Sequence, residues 1–306
     1  MIDPLRLMAV LAHPDDESLG FGGTLARYGS EGVETILVTA TRGENGRDGA
    51  SRTSSPEQLG RKREAELRAA CKTLSVSQIH FLDYIDGALD RADAAEAIGK
   101  IASHIRRIRP HVVVTFGPDG AYGHPDHIAI SQFTTAAVVD AAYPRGLDTR
   151  SRPAEDAPHR VAKLYYLAWT KNRWDAYQAA LKRLISKVDG VERQATPWPE
   201  WAVTTVIDTA VHWPTVWRAV SCHESQISVY QGLRTLSTEQ HQAIWGTQEF
   251  YRAFSQVNGG RRTERDLFEG LCESQAGMEN GHGTEERTRA AEESNRSAGT
   301  LAERLS

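Results

Sequence analysis

Apolar runs and amphipathic stretches alternate along the first 145 residues. Leu5–Ala12 (LRLMAVLA) is an almost unbroken apolar run, the pattern of a strand covered on both faces. Phe21–Gly29 carries small and apolar residues suited to a helix, and Glu34–Thr41 (ETILVTAT) reads as a second strand. A polar loop, Gly43–Gly60, ends in the helix-start signal Ser55-Pro56-Glu57, and the helix runs on to Lys72. Ile79–Leu82 predicts a third strand. Ala92–Arg109 is an amphipathic helix stopped by Pro110, and the β-branched run His111–Phe116 is a fourth strand. Ile128–Ala142 is helical again. Strands alternating with helices predict βαβ units: an α/β, Rossmann-like, mostly parallel sheet flanked by helices. Ligands of such sheets sit beyond the carboxyl ends of the strands.

After Tyr143 comes a linker rich in Pro, Arg and Asp that extends to about Arg160. Lys163–Thr170 and Thr204–His212 read as strands, and Thr238–Ser255 reads as a helix. The expected organisation is a catalytic unit over residues 1–170, a smaller C-terminal α+β part over 171–273 that completes the substrate pocket, and a tail over 274–306. The tail's only large apolar residues are Met278, Leu301 and Leu305, so it is expected to be disordered.

Composition narrows the function classes. The chain has 306 residues, with 36 Lys+Arg against 40 Asp+Glu, and so lacks a global basic field for nucleic acid. No apolar run reaches the roughly 18 residues of a membrane span, and the N-terminus lacks the pattern of a secretion signal. Cys71, Cys222 and Cys272 form no CxxC pair, which fits a reducing, cytoplasmic setting. A homo-oligomer is possible but leaves no mark in the sequence.

The chemistry sits where two predicted strands end. Leu5–Ala12 runs into His13-Pro14-Asp15-Asp16-Glu17, and His111–Phe116 leads to Tyr122-Gly123-His124-Pro125-Asp126-His127. Either segment alone would read as a turn or a helix N-cap, since Asp readily bonds the first amides of a helix. Together, at one edge of one parallel sheet, they suit metal-assisted hydrolysis: three His/carboxylate ligands and an open position for water. His13 and Asp16, three apart in a strand-to-helix turn, can face one point, with His127 arriving as the third ligand. Asp15 is then left to take a proton from the metal-bound water, whose pKa the ion lowers towards about 7. Two His and one carboxylate suit zinc or iron(II). Glu17 fits a first-turn acid that favours the helix dipole. His80, His104, His111, His159, His212, His241 and His282 show no comparable clustering. Gly20-Phe21-Gly22-Gly23-Thr24 is not a dinucleotide fingerprint, because Leu25 stands where the pattern needs glycine. Ser18 and Ser221 lack the GxSxG elbow of a serine hydrolase.

These residues resemble the LmbE/PIG-L-type zinc-dependent N-deacetylases. Ala12-His13-Pro14-Asp15-Asp16-Glu17 followed by Gly22-Gly23-Thr24 is similar to that family's signature, and Tyr122–His127 to its second motif. The likeness covers residues 5–145, and His223-Glu224-Ser225-Gln226 resembles a His-x-Ser-Gln element late in such proteins. The resemblance implies one zinc per chain on His13, Asp16 and His127, with Asp15 as general base and later acid. It also implies that His124, protonated, stabilises the oxyanion, that Tyr122 shapes the oxyanion pocket and that Asp126 tunes His124. Arg63 would contact the sugar or its attached group, although Arg61-Lys62-Arg63 reads equally well as a solvated helix face. The implied activity is removal of the N-acetyl group from an N-acetylglucosamine-containing small molecule. The alternatives are an amidase for a bulkier amide, such as a thiol conjugate of glucosaminyl-inositol, and a non-catalytic, metal-stabilised glycan-binding module.

Overall fold

The apolar run after Leu5 forms β1 (Arg6–Leu11), buried from Leu7 onward. The computed structural model describes residues 4–46, 48–49, 54–144, 157–181, 185–188, 190–228, 231–257, 260 and 262–271. After β1 come α1 (Asp16–Leu19), α2 (Gly22–Ser30), β2 (Glu34–Thr39), α3 (Pro56–Thr73) and β3 (Gln78–Phe81). Next are α4 (Ala94–Ile108), β4 (Val112–Phe116), the short kinked α5 (Gly120–Gly123), α6 (Pro125–Ala141) and β5 (Lys163–Leu167). The described elements end with α7 (Lys171–Leu181), the hairpin β6 (Ser186–Val188) and β7 (Val191–Arg193), β8 (Thr205–Asp208), α8 (Trp213–Cys222), α9 (Thr238–Trp245) and β9 (Thr247–Ser255).

Local chemistry sets the boundaries. Ser55 caps α3 in a reciprocal box with Gln58, and Pro56 occupies the first turn, where its missing N–H costs nothing. Asp93 caps α4 through the Glu96 amide. The buried face of α4 is Ala97, Ile101, Ala102, Ile105 and Ile108, a helical period.

The sheet order is β3-β2-β1-β4-β5-β9-β8. The first five strands are mutually parallel, β9 is antiparallel to β5, and β8 is antiparallel to β9. α2 and α3 pack with α8, whereas α4 packs on α6, which lies against β1, β4 and β5. β1 and β4 are neighbours, with Leu7 opposite Val112 and Ala9 opposite Val114. The chain leaves β1 towards β2 and returns to β4 from the far edge, so strand order reverses between them. That reversal is the topological switch point of an open α/β sheet.

One predicted element is corrected. Thr238–Ser255 is not a single helix: α9 stops at Trp245, and Thr247–Ser255 is the strand β9. Its aromatic and β-branched residues, with Gln248 and Phe250 buried, pair on both sides with β5 and β8. Helices α7 and α8 had no counterpart in the sequence reading.

Residues Met1–Leu267 form one compact unit, which holds the whole sheet, so β8 and β9 join it from beyond residue 170. The second unit starts at Phe268, and its described part is a turn closed by the Leu271 N–H on the Phe268 carbonyl. The expected tail 274–306, most of the linker after Tyr143, Cys272 and His282 lie outside the described residues. Among the described residues no helix is long and apolar enough to cross a membrane.

Candidate metal centre

The end of β1 turns sharply into α1. Asp15 occupies the N-cap position, yet it does not act as a cap: its side chain makes no capping hydrogen bond, and its backbone is left-handed, with φ 108° and ψ −26°. An L-residue held there costs about 1–3 kcal/mol, and such strain persists only where the surroundings over-determine it. Here the Asp15 N–H donates to Glu17 Oε2 at 2.8 Å. The Asp15 carboxylate faces Arg63 of α3, whose Nη2 donates to Oδ2 at 2.9 Å and also to the Pro14 carbonyl. Asp16 points the other way, its Oδ2 accepting the N–H groups of Ala12 and His13 at 3.2 and 2.8 Å.

Beyond β4 the chain kinks through Ala121, at φ 62° and ψ −65°. It then enters α6 with His124 as N-cap, Pro125 in the first turn and His127 one turn in. The His127 ring stacks on Phe116 at 3.9 Å between centroids. His124 Nδ1 accepts the Asp126 N–H at 3.2 Å, so a neutral ring carries its proton on Nε2. Burial, reinforced by the neighbouring His127 and His13, pushes His124 down to about 3, and the positive end of α6 acts in the same sense. Both influences favour the neutral ring over the protonated His124 expected from the sequence.

His13 Nδ1, His127 Nε2 and the Asp16 carboxylate meet in a small triangle. The two nitrogens are 3.3 Å apart, His127 Nε2 is 3.2 Å from Asp16 Oδ1, and His13 Nδ1 is 3.6 Å from Asp16 Oδ2. Ligands about 2.0–2.1 Å from a tetrahedral ion are separated by about 3.3–3.4 Å, which the His13 Nδ1–His127 Nε2 and His127 Nε2–Asp16 Oδ1 separations match. The outer partners set the tautomer. His13 Nε2 lies 3.2 Å from Asp126 Oδ2 and 3.2 Å from Asp86 Oδ1, so in the neutral ring that a metal ligand requires the proton sits there and the Nδ1 lone pair turns to the triangle. Burial works against a charged His13, but hydrogen bonds to Asp126, Asp16 and Asp86 outweigh it and raise its pKa well above the usual value. Burial likewise raises Asp16, but the His127 and His13 charges prevail and hold it well below the carboxylate range. His124 extends the donor set, since ligand nitrogens of His13, His124 and His127 lie within 4.8 Å of one another.

The Asp126 carboxylate acts on the His124 ring through its charge, which works against the burial that pushes His124 down, and makes its hydrogen bonds elsewhere. It bonds His13 Nε2 and accepts the N–H groups of Gly87 (2.8 Å) and Leu89 (3.1 Å), while the Asp126 backbone N–H donates to the His124 ring. Its orienting role therefore falls on His13. Arg63 is not a solvated helix face either. It is 4% exposed and donates to Asp15, Pro14 and the Gly43 carbonyl.

These residues line a cleft of about 330 Å³. Its polar lining is His13, Asp15, Asp16, Arg63, Asp86 and Gln226. Its apolar and aromatic lining is Leu19, Phe116, Trp169, Tyr177 and Leu181, with Tyr122 close to His124 and His127.

A Kineococcus radiotolerans protein named 1D-myo-inositol 2-acetamido-2-deoxy-alpha-D-glucopyranoside deacetylase is 34% identical, over 89% of this chain and 84% of its own. The family model for PIG-L, GlcNAc-PI de-N-acetylase, matches residues 8–138. The chain belongs to the PIG-L family. A Streptomyces avermitilis protein of the same name is 35% identical, over 87% of this chain and 97% of its own. A conserved protein of Thermus thermophilus with a crystal structure is 28% identical at a TM-score of 0.58, covering 83% of this chain and 97% of that one.

The segment matched by the PIG-L model runs from β1 to α6 and contains each candidate residue from His13 to His127. It leaves out the aromatic lining from Trp169 to Leu181 and the element His223–Gln226. Sequence reasoning missed Asp86, although it lies past the carboxyl end of β3, where the sheet rule already directs attention. It also passed over Glu17 as more than a helix-dipole acid. Glu17 is fully buried, bonded to the Asp15 N–H and, through Oε1, to His223 Nε2 at 2.8 Å.

Proposed function

We propose that this chain is a metal-dependent hydrolase, with zinc as the ion and iron(II) the alternative. In this reading it removes the N-acetyl group from an N-acetylglucosamine-containing small molecule. The observation that carries the reading is the 3.2–3.6 Å triangle of His13, Asp16 and His127, with Asp15 in the same cleft. The names borne by the Kineococcus and Streptomyces relatives support an inositol-linked amino-sugar conjugate as the substrate class.

In this reading His13, Asp16 and His127 would hold the ion, which supplies Lewis acidity and acidifies water when bound. Asp15, fixed by Arg63, takes the proton from the attacking water. His124 donates from Nε2 to the developing oxyanion as a neutral imidazole, a contribution of about 2.7–4 kcal/mol per well-placed donor. Asp15 then returns its proton to the departing nitrogen, so amide and water become free amine and acetate. Tyr122 and the aromatic lining exclude water around the acyl group.

The test is release of free amine from a panel of N-acetylglucosamine conjugates, one of them inositol-linked, before and after chelation. Native protein should act on at least one, lose activity to the chelator and regain it with zinc. Asp15→Ala should keep the metal and lose about 100-fold or more in rate. Full activity after complete chelation would overturn the reading; turnover only of a cysteinyl amide would replace deacetylase with amidase.

A further inference from the structure

A chain of buried hydrogen bonds runs from α8 to the left-handed turn at Asp15. We propose that Glu17 and His223 form a positioning pair that holds the Asp15 backbone in its left-handed conformation and so aims the Asp15 carboxylate. The inference rests on the reading of Asp15 as the base.

Glu17 and His223 are both 0% exposed, 206 residues apart in sequence, and joined from Glu17 Oε1 to His223 Nε2 at 2.8 Å. Ser18 Oγ donates to the same Oε1, and Oε2 is left for the Asp15 N–H. A carboxylate buried this fully is tolerated only when its oxygens are satisfied, and the donor from outside the turn is His223. His223 is itself fixed. It ends α8, and the turn that follows is pinned by Glu66 of α3, which accepts the Ser225 N–H at 2.8 Å and the Ser225 hydroxyl at 2.7 Å. The Ser225 carbonyl accepts the Gly49 N–H at 2.9 Å. None of these groups lines the cleft, yet the chain of bonds ends on the amide of Asp15. At φ 108° the Asp15 carbonyl accepts the Ser18 and Leu19 N–H groups at 3.1 and 2.9 Å and its carboxylate meets Arg63, but those bonds leave the direction of its own N–H to be fixed. The Glu17 acceptor fixes it.

Glu17→Met and Glu17→Gln have similar volumes, and only glutamine keeps an acceptor for the Asp15 N–H. Glu17→Met should lower kcat about 10–100-fold, the usual range for outer partners of a site, with KM within about threefold and metal content unchanged. Glu17→Gln should recover most of the loss. In an Asp15→Ala background Glu17→Met should change the residual rate no further. Crystal structures supply the readout that needs no activity: Asp15 should leave positive φ in Glu17→Met and keep it in Glu17→Gln. Asp15 staying left-handed in Glu17→Met, equal kcat for the two variants, or additive losses with Asp15→Ala would each overturn the proposal. If the native protein releases amine from no conjugate, the functional reading fails, and the crystal structures still decide the positioning role.

Discussion

Replacing Asp126 with asparagine separates its two conceivable partners. In the structure Asp126 Oδ2 receives His13 Nε2–H and the Gly87 N–H, while Oδ1 receives the Leu89 N–H. Asparagine has one acceptor oxygen. Turned towards Oδ2, it keeps His13 and Gly87 and leaves its NH2 opposed to the buried Leu89 N–H, a loss of about 1–3 kcal/mol in stability. The charge that polarises His13 disappears in either orientation. Loss of such an outer partner costs about 10–100-fold in metal affinity, and Asp86, also 3.2 Å from His13 Nε2, keeps the loss near the lower end. The expectation is therefore a roughly tenfold weaker metal Kd, or about 1.4 kcal/mol, measured by competition with a chromogenic chelator. Thermal denaturation of the metal-free protein should report the Leu89 term separately. Metal affinity within twofold of native, combined with a large fall in kcat, would refute the argument and return Asp126 to His124.

Other expectations follow from single contacts. Gly46→Ala would set a Cβ 2.5 Å from Arg63 Nη1, displacing a guanidinium tied to Asp15; kcat should fall while metal content, by elemental analysis, stays native. Gln248→Leu removes the acceptor of the Thr24 N–H (2.6 Å) and the donor to the Gly20 carbonyl (2.7 Å), both buried. Two orphaned backbone groups at about 1–3 kcal/mol each should shift the urea midpoint downward without a change in m. Burial, with Arg107 and His80 nearby, pushes His104 down to about 4, so the unfolded chain binds the extra proton first. The contribution of His104 is complete above pH 6.5 and is lost as pH falls towards 4; His104→Gln should flatten the pH dependence of stability in that window, and NMR should place the native titration below 5.

The sequence exposed the parts of this protein whose signals are local. A buried parallel strand reads as a continuous apolar run, so β1 and β4 were visible, and with them the edge at which His13, Asp16 and His127 meet. Order reversal between those two strands, a property of the whole sheet, turns that edge into a cleft. What stayed hidden depends on pairings that local periodicity does not encode. β9 hides behind polar residues that continue the helical reading of α9, and only its pairing with β5 and β8 makes it a strand. Asp86 reaches His13 from a loop two strands away, and His223 reaches Glu17 from the far end of α8. Motif spacing already set Asp16 towards His13 and left Asp15 facing elsewhere, but gave no sign of the backbone conformation that separates them. Their separate tasks come from backbone geometry: a left-handed residue points one carboxylate at Arg63, and the helical residue after it turns the other back onto the strand end and the two histidines. On the proposed reading, the division of labour between base and ligand is built into one φ angle, and the groups proposed to hold that angle, Glu17 and His223, belong to the site as much as the residues that line it.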